Sequence, residues 1–411
     1  MDFKTLVPDT DFIPALRFMV VSDVHIKDEP TVERERFTSA IRDAYKIARS
    51  SDNYKKLDAV LVVGDFANSG TEIQMRVAKQ ILDENVDYSE TKAILSIASH
   101  EFYGDPEKAK AQFTDIFGMP VDIHEVINGF HFISVTPSEK CRFYDEKKAW
   151  MSEQLLTAAK EDRKKPIFVF QHPHVKDTVM DSGDWGEEDF NLVYMDYPQM
   201  INFSGHSHAP INDPRSIHQK HFTCLGTGTL SYFEIDEYDK PCGAFPVGKE
   251  KAAQMLIVEA SADNRVRIYP YDIITGNFFP YVWKIDTPSE PSSFLYTDER
   301  YKTDVKPYFD GDVKVAFPDV TATSCKVTFT QAKIDEDYVD NYDILVRDAN
   351  GDIVKQLNIW SEYYFYDMPD ELSVDIEGLE PDSDYSVNIY ANGFWHNKSE
   401  GCLIATFKTS K

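Results

Sequence analysis

Disulfide chemistry has little to work with in this chain. Its five cysteines, Cys141, Cys224, Cys242, Cys325 and Cys402, are scattered through 411 residues without a Cys-x-x-Cys pair. That spacing excludes a zinc-finger framework and gives no disulfide pattern, which suits a reducing compartment. No apolar run reaches membrane-span length. The stretch Met1 to Leu16 carries Asp2, Asp9 and Asp11 and lacks a basic start followed by apolar residues, so no signal peptide is visible. These absences favour a cytoplasmic location. A leader trimmed beforehand would leave the same sequence, so a secreted or cell-surface location stays open. Positive charge is also short, with 43 Lys plus Arg against 70 Asp plus Glu and a net of −27. A chain this acidic repels polyanions, which argues against tight non-specific nucleic-acid binding.

What is present is ample material for hydrophobic cores: 42% apolar residues, of which the aromatics alone make up 13% of the chain, so global disorder is excluded. The length suits two domains. Residues 1–287 alternate between short apolar, β-branched runs and stretches of helical periodicity. The strand candidates are Leu16–Val21, Ala59–Val63, Ala93–Ala98, Phe130–Val135, Pro166–Gln171, Met200–Phe203, Met255–Glu259 and Val266–Asp272. The helix candidates between them are Val32–Ser50, Ile73–Glu84, Lys108–Phe117 and Lys147–Ala159. Such alternation implies a layered α/β domain. A Pro/Ser-rich stretch begins at Asp286, and residues 288–304 read as a linker. Residues 305–411 then read as seven short strands, an all-β sandwich. Asn350-Gly351 between two of them signals a tight hairpin turn with positive φ.

Five clusters of potential metal ligands run through the first 210 residues: Ser22-Asp23-Val24-His25, Gly64-Asp65, Ser99-His100-Glu101, His172-Pro173-His174 and Gly205-His206-Ser207-His208. Most follow an apolar run directly, where a central strand would end. Carboxylates and imidazoles are costly to bury unless they hold a metal or find partners. A fold that gathers strand ends would collect these groups in one place. In extended backbone, residues two apart face the same side, so Asp23 with His25, and His206 with His208, would reach one pocket.

The order and spacing of the clusters resembles the calcineurin-like metallophosphoesterases, which hydrolyse phosphate esters with two metal ions. The resemblance implies a four-layer αββα sandwich. It implies that Asp23, His25 and His208 hold one metal, that His172 and His206 hold the second, and that Asp65 bridges them. It further implies attack by a metal-bridging hydroxide, with His100 near the phosphate as the catalytic imidazole. Manganese, iron and zinc all suit such a site. Phosphodiesters are the favoured substrates. A phosphomonoesterase and a degenerate, non-catalytic metal-binding scaffold are the alternatives. Gly378-Leu379-Glu380-Pro381, followed by Tyr385, resembles the tyrosine-corner segment of fibronectin type III domains. Such a sandwich would shield the site or take a protein or carbohydrate partner. The aromatic run Trp360, Tyr363, Tyr364, Phe365 and Tyr366 is a candidate face for that partner.

One position departs from the family pattern. Ser99 stands where the family usually has an asparagine that completes the second metal's coordination. A serine hydroxyl is shorter and a poorer donor, so Ser99 would be a weak ligand, with water filling the gap. Glu101 is a candidate to orient His100, or an exposed residue at a helix start, and His174, Asn68, Lys27 and Asp28 are further pocket candidates. The expected outcome in a metal titration is one tight and one weaker site, with Ser99→Asn tightening the weaker one. Two equally tight sites would contradict it.

Overall fold

The structure, a computed structural model, describes residues 11–235, 243–335 and 337–411. Asp2, Asp9, Cys242 and Glu336 of the acidic run Asp335–Asp337 lie outside the described residues. The chain divides into two compact units, with the boundary between Thr297 and Asp298.

The first unit begins β1 (Pro14–Val21), α1 (Val32–Ser50), β2 (Ala59–Val63), α2 (Glu72–Asn85), β3 (Lys92–Ser96) and α3 (Pro106–Phe117). It continues with β4 (Ile123–Ile127), β5 (Phe130–Ser134), α4 (Asp145–Glu161), β6 (Ile167–Phe170), β7 (His174–Val175), α5 (Ser182–Trp185), β8 (Gly186–Glu187), α6 (Asn191–Tyr194) and β9 (Met200–Ser204). The last strands are β10 (Ile217–Gln219), β11 (Thr223–Gly226), β12 (Gln254–Ser261), β13 (Val266–Asp272), β14 (Asn277–Phe278) and β15 (Trp283–Ile285). β7 and β8 pair with each other, and the other strands build two sheets, one ordered β14-β13-β12-β1-β2-β3 with β15 beside β13, the other ordered β10-β11-β9-β6-β5-β4.

Burial on both faces explains the continuous apolar strands. Met19, Val21, Val60 and Val62 pack with Phe37 and Ile41 of α1, Met75 and Leu82 of α2, and Phe113 of α3. Ile133 and Val169 pack with Met151 and Leu155 of α4 on the far side. Between the sheets, Phe18 meets Phe132 and Phe168 edge-on at centroid distances of 5.1 and 4.9 Å. Phe170 and Phe203 complete that layer. The result is the expected helix–sheet–sheet–helix sandwich. Strand β4 escaped the sequence pattern because only Ile123 and Ile127 of its five residues are buried, so neither alternation nor an apolar run marks it.

The second unit contains β16 (Val315–Val320), β17 (Ser324–Thr330), β18 (Val339–Arg347), β19 (Ile353–Trp360), β20 (Glu371–Glu377), β21 (Asp384–Gly393) and β22 (Leu403–Lys408). One sheet is ordered β16-β17-β20 and the other β19-β18-β21-β22, with Val327, Phe329, Tyr342, Ile344, Val387 and Ile389 in the shared core. The Tyr385 hydroxyl accepts from the Glu380 backbone N–H at 2.9 Å, which is the tyrosine-corner contact. The Asn350-Gly351 turn is not the tight primed turn expected. Only Gly351 has positive φ, and the Asp348 carboxylate accepts from the N–H groups of Asn350 and Asp352, which stabilises a longer loop. The primed-turn signature sits instead at Asn128-Gly129 between β4 and β5, where both φ values are positive. Tyr363 and Tyr364 of the aromatic run are fully buried, with Tyr363 edge-on to Phe394.

Phe18 is fully buried and ties the two sheets together. Phe18→Ala should cost the first unit about 3–5 kcal/mol, read as a lower denaturant midpoint for that unit, whereas an unchanged midpoint would contradict this role.

Candidate metal centre

The strand ends place the side chains. The segments after β1, β2, β3, β6 and β9 carry Asp23 and His25, Asp65, Ser99 and His100, His172, and His206 and His208 respectively. Because β1, β2 and β3 run parallel, as do β5, β6 and β9, these segments emerge at the same end of each sheet. Extended backbone is not what aims them. Asp23, His25, Asp65, His206 and His208 all have φ between +49° and +78°, a region that costs a non-glycine residue free energy and persists only where its surroundings enforce it. The enforcement is visible: the N–H groups of Asp23, His25 and Ile26 donate to the carbonyls of Gly64, Asp65 and Phe66. Glycine precedes two ligands for a steric reason. A Cβ on Gly64 would lie 2.7 Å from the His172 ring, and one on Gly205 would lie 2.4 Å from Asp23 Oδ2.

Three overlapping groups of donor atoms converge to within 4.8 Å: Asp23, His25 and His208; Asp65, His172 and His206; and His25, Asp65 and His100. In the first, His208 Nε2 lies 3.2 Å from Asp23 Oδ1 and 3.1 Å from His25 Nε2. In the second, His172 Nε2 lies 2.9 Å from Asp65 Oδ2. Asp65 belongs to two of the groups, as a shared carboxylate would.

The remaining atoms of these side chains are held elsewhere. His172 Nδ1 donates to the Val63 carbonyl and His208 Nδ1 to the Tyr232 carbonyl, at 2.7 and 2.9 Å, which leaves each Nε2 turned inward. Asp23 Oδ2 accepts from the Ser22 hydroxyl and the His206 N–H. Asp23 Oδ1 and His172 Nε2 are buried without an aligned hydrogen bond. These two atoms lie 3.8 Å apart, and buried donor atoms this close fit a cation between them.

Burial discourages charge on every group here, and His25 and His206 are both pushed down to about 4 by it. His172 is an exception: against burial, the Asp65 and Asp23 carboxylates hold its imidazolium up to about 10. Burial likewise opposes ionisation of Asp23, yet His208 and His172 keep it well below the usual carboxylate range. Asp65 is also held low, against burial, chiefly by His172. Two buried carboxylates thus draw a proton onto His172, the place a cation would take.

Ser99 donates to Asp65 Oδ2 at 2.9 Å, so its hydroxyl orients the shared carboxylate. His100 Nδ1 donates to the Asn68 carbonyl at 2.7 Å and its Nε2 faces the Tyr103 hydroxyl at 3.2 Å. Glu101 neither orients His100 nor lies exposed. It is buried and accepts from the N–H groups of Asp65, Ala67 and Ala98. Three-residue spacing from Ala98 and a preference for acids at turn starts was the only signal for it. Burial and the Asp65 charge push its carboxyl up to about 8. His174 is a brace rather than a pocket residue, with both nitrogens bonded to the Ser204 and Ser207 hydroxyls. Lys27 pairs with Glu33, and Asp28 accepts from Thr71. Sequence reasoning missed the rings beside the histidines. Tyr103 lies 4.6 Å from His100, Tyr232 4.3 Å from His208 and Trp185 5.1 Å from His206, centroid to centroid.

Residues 16–210 match the family model of the calcineurin-like phosphoesterases, and residues 311–401 that of the fibronectin type III domain. Residues 16–210 thus form a calcineurin-like phosphoesterase domain. This family implies a dinuclear metal centre, and the Asp and His groups fit one. Among solved structures, purple acid phosphatase PPD1 from yellow lupin (Lupinus luteus) seeds is 13% identical over 66% of this chain, with a TM-score of 0.48. The chain spans 54% of that phosphatase's length. The sensor domain of the anti-sigma factor RsgI4 of Pseudobacteroides cellulosolvens is 21% identical over 24% of this chain and 93% of that one, TM-score 0.18. Domains d3–d4 of the rat CD45 extracellular region are 15% identical over 31% of this chain and 56% of that one, TM-score 0.20. No curated protein matches the chain. Among the described residues, no helix is long and apolar enough to cross a membrane.

Glu101 holds the backbone that presents Asp65. Glu101→Ala should weaken metal binding roughly 10- to 100-fold with the circular dichroism spectrum retained. Isothermal titration with Mn²⁺ checks it, and unchanged affinity would contradict it.

Proposed function

We propose that this chain hydrolyses phosphodiesters at a dinuclear centre, with Asp23, His25 and His208 on one cation, His172 and His206 on the other, and Asp65 shared. The observation that carries this reading is the convergence of the two Asp/His groups, with Asp65 grouped both with His172 and His206 and, within 4.8 Å, with His25 of the other set. Two cations bound there would supply a deprotonated water at neutral pH and polarise the phosphoryl oxygens.

The chain's own residues divide the rest of the work. Asp65 is fixed in orientation by Ser99 and by the His100 backbone N–H at 2.9 Å. The Asn68 carbonyl holds His100 Nδ1–H, so Nε2, beside the Tyr103 hydroxyl, is the nitrogen that would exchange a proton with the departing alkoxide. Buried walls around Asp23 and His172, both fully inaccessible, exclude water from the ligand side. A diester carries two ester groups and one charge. The rings of Tyr103, Tyr232 and Trp185 bordering the histidines suit bulky ester groups better than a dianionic monoester head, which favours the diester over the monoester. The C-terminal sandwich is read as an accessory module with a protein or carbohydrate partner.

The test is hydrolysis of bis-p-nitrophenyl phosphate and p-nitrophenyl phosphate with added Mn²⁺. The diester should turn over faster. His100→Ala should lower kcat by about 10²–10⁴ while metal content is unchanged. Equal rates for His100→Ala and the unaltered chain would remove His100 from the reaction.

A further inference from the structure

Lys249 differs from the other cations bordering the metal centre. Lys27 is paired with Glu33 at 3.0 Å and Arg142 with Glu187 at 2.9 Å. Among the described residues the Lys249 ammonium has no ion-pair partner, and what it touches is aromatic. Its Nζ lies 3.1 Å from the Phe245 ring centroid and 5.7 Å from that of Tyr232. Tyr232 in turn packs on the centre, 4.3 Å from the His208 ring and 5.8 Å from that of His25. Resting on the phosphodiesterase reading above, we propose that Tyr232, Phe245 and Lys249 form a specificity site for one ester group of the substrate, and that this group is aromatic and carries a second anionic charge.

The position of the three side chains is built into the fold. Arg36 of α1 is buried and donates to the carbonyls of Leu230, Ser231 and Glu250, which clamps the backbone beside Tyr232 and beside Lys249. The Phe233 N–H donates to the Lys249 carbonyl at 3.0 Å, closing the same clamp. Phe245 is nevertheless 55% exposed, and Tyr103, on the His100 side of the centre, is 63% exposed. Aromatic faces left in water next to a reaction centre gain by stacking with a ring of the substrate.

Charge decides the rest. The net charge of −27 opposes the approach of any anion, and the cations of the centre are matched by the scissile phosphate itself. An ammonium seated on two aromatic faces keeps its charge and its outward N–H groups, so Lys249 is placed to take one further anionic group. A single such cation suits a small substrate with one extra charged group, not a polyanion. A carboxylated aryl ester and a phosphorylated nucleoside share this chemistry.

The experiment compares three diesters of p-nitrophenol on the full chain with added Mn²⁺, their second ester group being p-nitrophenyl, p-carboxyphenyl or phosphorylated thymidine. At least one charged diester should exceed the uncharged one in kcat/KM by roughly 3- to 10-fold, the gain lying in KM, and the better of the two identifies an aryl or a nucleotide source. Lys249→Gln should abolish that preference, Lys249→Glu should reverse it, and Lys249→Arg should keep it. Calorimetry reads the same site without turnover. p-Carboxyphenyl phosphate should bind the Mn²⁺-loaded chain more tightly than phenyl phosphate, and Lys249→Gln should remove the difference. Turnover with no preference in the unaltered chain, or a preference that Lys249→Gln leaves intact, would overturn the specificity site and leave the phosphodiesterase reading standing. Absence of turnover with all three diesters would overturn that reading, and equal calorimetric affinities would then overturn the specificity site as well.

Discussion

Asp23 and Asp65 are buried to the point of having almost no solvent contact, and both reach the same imidazole, His172, at 3.8 and 2.9 Å. Two carboxylates this deep in a wall of phenylalanine and valine need a counter-charge within a few ångströms. The two carboxylates favour the charged form of His172, and a cation between them would supply the same counter-charge. Much of the surrounding structure makes sense as the means of keeping these like charges together. The parallel strands deliver them to one edge, the paired loops after β1 and β2 fix the left-handed backbone, and Glu101 collects three N–H groups beneath them.

The strain is localised in a telling way. Five of the six proposed ligands, all but His172, sit at positive φ, while the strands that carry them are regular and buried. Rigid strands supply the precision, and left-handed turns at their ends supply the aim. This division also explains the two glycines: any side chain at position 64 or 205 would occupy space already taken by His172 or Asp23. Ser99 and His100 complete the arrangement by gripping both oxygens of Asp65, so the shared carboxylate has its orientation set before anything binds.

Much of this was legible in the sequence, for physical reasons. Apolar runs such as Ala59–Val63 announce doubly buried strands, and clusters placed just beyond them announce a gathered site. Sequence reasoning failed where tertiary contact decides the outcome. Glu101 looks like a helix-start acid, and its role depends on N–H groups 34 and 36 residues earlier as well as the nearby Ala98. His174 looks like a ligand by proximity to His172, yet two serines from the β9 segment claim its nitrogens. Strand β4 is an edge strand with two buried residues and no periodicity to detect.

The most direct measurement is anomalous diffraction from crystals of the full chain grown with Mn²⁺ and with Zn²⁺. The account requires two anomalous peaks about 3.5–4 Å apart on either side of Asp65, one against His25 and His208 and one against His172 and His206. A single peak, or peaks out of reach of Asp65, would contradict it.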